Sequence, residues 1–149
     1  MKLKQLSVLL SRIALFVIYF WFGILKVIGL SPASGIVQEL FAKTLSPILH
    51  ALHLSFITAG TFVVIFGVFE VIIGLLFIIP GKERWAIYAF FAHIVTTGLP
   101  LFFLKTSVWT GVFVPTLEGQ YIIKNLALIA CVVNIWSILP TKTEDPVII

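Results

Sequence analysis

The run Gly67-Val68-Phe69-Glu70-Val71-Ile72-Ile73-Gly74-Leu75-Leu76 lies inside an apolar stretch that covers residues 57–79. A helix of that length, rising about 1.5 Å per residue, crosses a hydrocarbon layer of about 30 Å. Glu70 then falls near the middle of the layer. An ionisable group at that depth costs at least about 2.5 kcal/mol, so it is expected to face the protein interior and to have a partner or a task there.

Composition extends this reading to the whole chain. Of 149 residues, 60% are hydrophobic and 11% charged, and the mean hydropathy is +1.17. Soluble domains carry about 25% charged residues, so the expected class is an all-α integral membrane protein. The net charge of +4 does not indicate nucleic acid, because the basic residues are scattered over helix ends and loops. Cys131 is the one cysteine and stands in an apolar run, which leaves neither an intrachain disulfide nor dithiol chemistry.

Four spans are expected in a single domain over 1–149, at about 6–30, 57–79, 85–104 and 121–139. The first begins after Lys2 and Lys4, as a signal peptide would, but its apolar region exceeds the usual 7 to 15 residues or so, and a retained helix is expected. Between the first two spans, Glu39, Lys43, Ser46, His50 and His53 recur at helical spacing among leucines, which predicts an amphipathic interfacial helix over about 36–54, interrupted or bent at Pro47. Pro80-Gly81-Lys82-Glu83-Arg84 reads as a tight charged turn. Residues 105–120, with Trp109, Gly111, Pro115 and Gly119, read as a longer connection. An even number of spans puts both termini on one side. Lys2, Lys4, Arg12, Lys82, Arg84 and Lys142 then outweigh Lys26, Lys43, Lys105 and Lys124, which favours cytoplasmic N- and C-termini.

Helical periodicity shows where the polar residues point. Arg12, Tyr19, Gly23 and Lys26 share one face of the first span; Gly60, Gly67, Glu70 and Gly74 lie together on the second. Ala89, His93, Thr96, Thr97 and Pro100 share a side of the third, and Gln120, Lys124, Ala127, Cys131 and Asn134 of the fourth. These stripes are expected to converge on the axis of a four-transmembrane-helix bundle, with glycines allowing close approach. Depth pairs Glu70 with His93, both about 15 Å from the inner surface. A long arm from Arg12, roughly 8 Å deep beside Asn134, is expected to rise toward Glu70. The expected clusters are therefore an inner one of Arg12, Glu70, His93 and Asn134 and an outer one of Lys26, Lys124 and Asn125.

Several chemistries fit a buried carboxylate of this kind. Glu70 suits a register-fixing salt bridge, proton transfer or contact with a polar headgroup, and His93 suits a proton relay or a satisfied core histidine. Lys26 and Lys124 lie close enough to helix ends to snorkel. His50 and His53 lack a third ligand, so no metal site is expected. As the single intramembrane histidine, His93 argues against a bis-histidine haem. No flavin, nicotinamide or iron-sulfur motif is present.

The same residues carry a family resemblance. Arg12 followed by Tyr19-Phe20-Trp21-Phe22-Gly23-Ile24-Leu25-Lys26 resembles the opening of DoxX-like membrane proteins, where an arginine leads to an aromatic-rich helix ending in Gly-x-x-Lys. The likeness is nearest to the YkgB-like branch. It continues through the Glu70 stretch, Thr96-Thr97-Gly98-Leu99-Pro100-Leu101, Trp109 with Pro115, and Gly119-Gln120-Tyr121-Ile122-Ile123-Lys124-Asn125-Leu126. Residues 31–55 are shorter and more amphipathic than in that branch, and Asn125 stands where some members have aspartate.

The resemblance implies a multi-pass protein of a bacterial-type inner membrane, with Arg12, Gly23, Lys26, Glu70, Lys124 and Asn125 at the recurrent positions. It further implies a role as a quinone-associated or oxidant-response membrane subunit, in which a partner protein supplies the electron carrier. On that reading quinone is the candidate cofactor, and Arg12, Tyr19, Lys26, Glu70, His93, Lys124, Asn125 and Asn134 are the candidate ligand-binding residues, with Glu70 and His93 as a proton relay. The expected partners are the lipid bilayer and a redox protein. Two alternatives are a small transporter or exporter, acting alone or as a homo-oligomer, and a structural partner whose buried charges serve helix register alone.

Overall fold

The computed structural model describes residues 3–54 and 56–140; the polar tail with Lys142, together with Lys2 and Ser55, lies outside the described residues. In chain order the elements are α1 (Leu3–Val27), α2 (Ser34–Ala51), α3 (Ala59–Ile78), α4 (Glu83–Gly98), α5 (Pro100–Phe103), α6 (Lys105–Val108), β1 (Trp109–Gly111), β2 (Val114–Pro115) and α7 (Leu117–Trp136). Helices at Leu3–Val27, Ala59–Ile78, Glu83–Phe103 and Leu117–Trp136 are long and apolar enough to cross a membrane.

Local chemistry explains where these helices begin and end. α1 closes on Gly29, whose φ of +75° suits a residue without Cβ, and the Leu30 amide donates back to the Leu25 carbonyl at 2.8 Å. The α3–α4 turn places Pro80 and then Gly81, with φ +77°, at its centre, and the Lys82 amide donates to the Ile79 carbonyl. Thr58 and Thr116 cap α3 and α7 by accepting the amides of Thr61 and Gly119, each at 3.2 Å. Pro100 lacks the N–H that α4 needs to continue, so the helix breaks there and restarts as α5.

Two segments gain detail from the structure. Residues 105–120, expected as a longer connection, do join the third and fourth long helices, and they carry regular structure. They form α6, an antiparallel hairpin that pairs Trp109 with Pro115, and the first turn of α7. Strands of three and two residues are too short to show the alternation by which strands are read. Of the two alternatives at Pro47, interruption does not occur: α2 stays helical on both sides of it and forgoes the one N–H that proline lacks. Leu40 and Phe41 of α2 are buried, and the helix packs on α3 and α5, so protein takes part of the apolar face expected against lipid.

Among the described residues the most extensive helix packing is between antiparallel α1 and α3, and it depends on three glycines. A Cβ on Gly67 would lie 2.7 Å from Lys26 Cβ and 2.8 Å from the Gly23 carbonyl oxygen. One on Gly23 would lie 2.7 Å from the Gly67 carbonyl oxygen, and one on Gly74 2.9 Å from the Phe20 amide nitrogen. Below this crossing, Leu15, Ile73, Phe77, Ala86, Ile87, Phe90, Val132 and Ile135 join α1, α3, α4 and α7 in one apolar core. Val17, Trp21, Ile65, Ile72, Val95 and Leu126 point outward and are exposed. At the opposite end Glu39 of α2 accepts hydrogen bonds from Ser107 Oγ at 2.8 and 3.0 Å and from Lys43 Nζ at 2.8 Å, which ties α2 to α6.

Gly67→Ala forces backbone apart and is expected to cost about 1–3 kcal/mol, read as a lowered unfolding midpoint in detergent. Gly35→Ala, where nothing lies within 4 Å, leaves the midpoint unchanged or raises it. Hydrogen bonds from Lys43 and then Ser107 hold the Glu39 carboxyl below its ordinary value. Its contribution is therefore present above the ordinary carboxylate range and lost as pH falls through the lower folded value. Hydrogen exchange in α2 and α6 should rise on acidification, and Glu39→Gln should remove that pH dependence.

Candidate functional site

One connected polar group lies between α1, α3 and α4. Tyr19, Lys26, Glu70 and His93 are only 4%, 5%, 5% and 5% exposed. Lys26 Nζ donates to Glu70 Oε2 at 2.6 Å; His93 Nε2 lies 2.9 Å from Glu70 Oε1; Tyr19 Oη lies 3.1 Å from His93 Nδ1. The glycine crossing makes this possible, because Lys26 Cβ sits against Gly67, one helical turn from Glu70. Each carboxylate oxygen thereby has its own donor.

Hydrogen-bond polarity assigns the protons. A carboxylate only accepts, so His93 Nε2 carries the hydrogen facing Glu70. In the neutral imidazole Nδ1 is then the acceptor, and Tyr19 donates to it. With Lys26 as the ammonium, the group carries no net charge and runs as one chain: Tyr19 to His93 to Glu70, with Lys26 closing the far side. Phe66 stacks on the imidazole at 4.8 Å and 22°, and the Tyr19 ring meets it edge-on at 5.1 Å. Among the described residues no buried side-chain nitrogen or oxygen lacks a hydrogen-bond partner.

The expected inner cluster forms only in part. Glu70 and His93 do meet at one level, but Arg12 belongs elsewhere. Its Nε donates to the Phe77 carbonyl at 2.7 Å, Nη2 to the Ile78 carbonyl at 3.1 Å, and Nη1 to Glu83 at 2.8 Å. The last carbonyls of a helix have no partners within it and carry partial negative charge. They and Glu83 lie level with Arg12, whereas Glu70 is two turns, about 10 Å, farther along α3. Asn134 joins α7 to α1 by donating to Ser11 Oγ at 2.9 Å, and does not reach Glu70.

The outer cluster is corrected as well. Lys26 reaches inward to Glu70, because its stem covers the depth that separates the two backbones. Lys124 is exposed and lies over the Tyr121 ring at 5.2 Å, and Asn125 is half-buried outside the network. The polar stripe of α7 faces the bundle only toward its inner end, at Cys131 and Asn134, while Gln120, Lys124 and Ala127 are exposed. His50 and His53 are exposed near the end of α2.

Two contributors escaped the sequence reading: Glu83 as the partner of Arg12, and Phe66 as the ring on His93. Glu83 is the first residue of α4, where a carboxylate is favoured, and that position was its available signal. Phe66 is one of 14 phenylalanines and carried none.

Four apolar helices around a buried ionisable chain give this protein the make-up of a multi-pass membrane protein with a polar core. No family model, curated protein or solved structure matches the chain significantly.

The pairing is tested by unequal single and double changes. Lys26→Met leaves the Glu70 carboxylate buried without its cation and is expected to cost about 3–5 kcal/mol. Lys26→Met with Glu70→Gln should recover most of that loss in detergent unfolding, whereas Arg12→Met with Glu70→Gln should show no such coupling.

Proposed function

We propose that this chain is a membrane subunit of a redox system, in which the Tyr19–His93–Glu70–Lys26 chain holds and passes a proton at mid-depth in the bilayer. The observation that carries this reading is the unbroken hydrogen-bonded sequence of phenol, imidazole and carboxylate, buried beside its counter-ion. Imidazole with both nitrogens engaged moves a proton by taking one at Nδ1 and releasing another at Nε2. An imidazolium formed on the way lies against the Glu70 carboxylate and the face of Phe66.

The outward apolar side chains of α1, α3, α4 and α7 suit a lipid surround, and the excess of basic residues on one side supports cytoplasmic termini. The DoxX-like and YkgB-like resemblance supports a bacterial-type plasma membrane and a quinone as the redox carrier, with a separate redox protein as partner. Lys26, at the end of the chain nearest the outer surface, offers an ammonium to a carbonyl oxygen such as a quinone headgroup bears. Arg12 and Asn134 support the scaffold in this reading, whereas Lys124 and Asn125 lie outside the chain.

A second, structural reading is favoured by one observation: the Lys26–Glu70 pair sits directly at the Gly23–Gly67 crossing, where it fixes the register of α1 on α3.

The discriminating measurement is a lipid-extract mass spectrum with an absorbance spectrum on gently purified protein, wild type beside Glu70→Gln. Quinone retained by the wild type and lost from the folded variant is the expected outcome. Quinone absent from both, together with full oxidant tolerance in cells carrying Lys26→Met with Glu70→Gln, would leave only the structural reading.

A further inference from the structure

We infer that Tyr19 is a redox-active residue, a buried one-electron donor whose phenol proton passes to His93 as the electron leaves. This rests on the proton-handling reading above and adds an electron to it.

Oxidising a phenol that keeps its proton creates a cation in an apolar interior, which is expensive. A base already hydrogen-bonded to the phenol removes that cost. Here the base is His93 Nδ1, 3.1 Å from Tyr19 Oη, and the base is itself backed by Glu70 at 2.9 Å. In the step, the Tyr19 O–H bond breaks and an N–H bond forms at Nδ1. The electron goes to a one-electron acceptor of high potential, such as an oxidising radical or an oxidised metal complex at the membrane surface. Tyr19 becomes a neutral phenoxyl and His93 an imidazolium, whose charge is offset by the carboxylate beside it. Returning one electron to the phenoxyl draws the proton back, and the site resets.

The other tyrosines lack this arrangement. Tyr88 and Tyr121 are exposed; Tyr88 packs on Trp85, and Tyr121 lies under the Lys124 ammonium, which opposes loss of an electron. A route for the electron is also built in. The Tyr19 ring lies 5.8 Å from Phe90, Phe90 lies 5.4 Å from Phe91, and Phe91 lies 6.3 Å from Trp136. Trp136 is about half exposed at the inner end of α7, and its indole is the first oxidisable ring that a surface acceptor meets on this path. Trp136 loses the electron and recovers it from Tyr19.

The experiment uses the full chain in lipid nanodiscs, in a Tyr88→Phe and Tyr121→Phe background that leaves Tyr19 as the single tyrosine. The oxidant is photo-oxidised ruthenium tris-bipyridine, and the readout is electron paramagnetic resonance with ring-deuterated tyrosine. A deuterium-sensitive phenoxyl signal is expected, lost on adding Tyr19→Phe, with formation slowed in heavy water and slowed again by Trp136→Phe. His93→Gln keeps a polar partner but no base, and should abolish the signal. Where His93→Gln does not fold, the heavy-water effect on the background protein decides the proton's role. Absence of phenoxyl from the Tyr19-only chain, or a phenoxyl indifferent to both His93→Gln and heavy water, overturns the inference. Quinone retention on the same preparations separates the two readings: a Tyr19-only chain that keeps quinone but forms no phenoxyl loses the redox tyrosine alone.

Discussion

The ion pair between Lys26 and Glu70 sets the terms for the rest of the structure. A single charge near the centre of a bilayer costs about 2.5–3.5 kcal/mol on insertion scales and more on an isolated helix. Two opposite charges 2.6 Å apart offset each other, provided that their remaining hydrogen-bonding capacity is used. That proviso brings in the third helix. Glu70 has a second oxygen to satisfy, His93 supplies the donor, and the free nitrogen of His93 then calls for Tyr19. The pair also requires α1 and α3 to lie almost in backbone contact, which is why Gly23, Gly67 and Gly74 occupy their crossing.

The two basic residues of α1 divide the work by depth. Arg12, at the inner end, spends three N–H groups on the α3–α4 junction, where helix-end carbonyls and Glu83 attract a planar, multiply donating cation. Lys26, a point charge on a flexible stem, reaches inward to the mid-helix carboxylate of Glu70. The outer end is closed differently, by α2 held to α6 through Glu39 and Ser107 and by Gly119 packed against the Val108 carbonyl.

Proton handling and register fixing make different demands on that chain. Register needs only the ion pair at the glycine crossing. Hydrogen-bond satisfaction then accounts for His93 and Tyr19, but not for an aromatic path from that phenol to a half-exposed indole. Each titratable group in the chain has to be desolvated, and each is offset by the hydrogen bond of the next.

Much of this was legible in the sequence. Apolar runs located four long helices, Gly67, Glu70 and Gly74 marked the buried face of α3, and counting residues from the α3–α4 turn put Glu70 and His93 at one level. Partners were not legible, because periodicity gives a direction around one helix and a depth along it, but not the rotation of that helix against its neighbours. Arg12 and Lys26 share a face of α1, and only the antiparallel docking of α1 on α3 decided that the first meets helix-end carbonyls while the second meets Glu70. The same limit hid the turn of α7, whose stripe looked continuous from Gln120 to Asn134 yet faces the bundle only at its inner end. The sequence by itself determined the membrane-type helical class and the residues too costly to expose. Which of those residues neutralise one another was decided by tertiary packing, because that depends on distances of a few ångströms between helices.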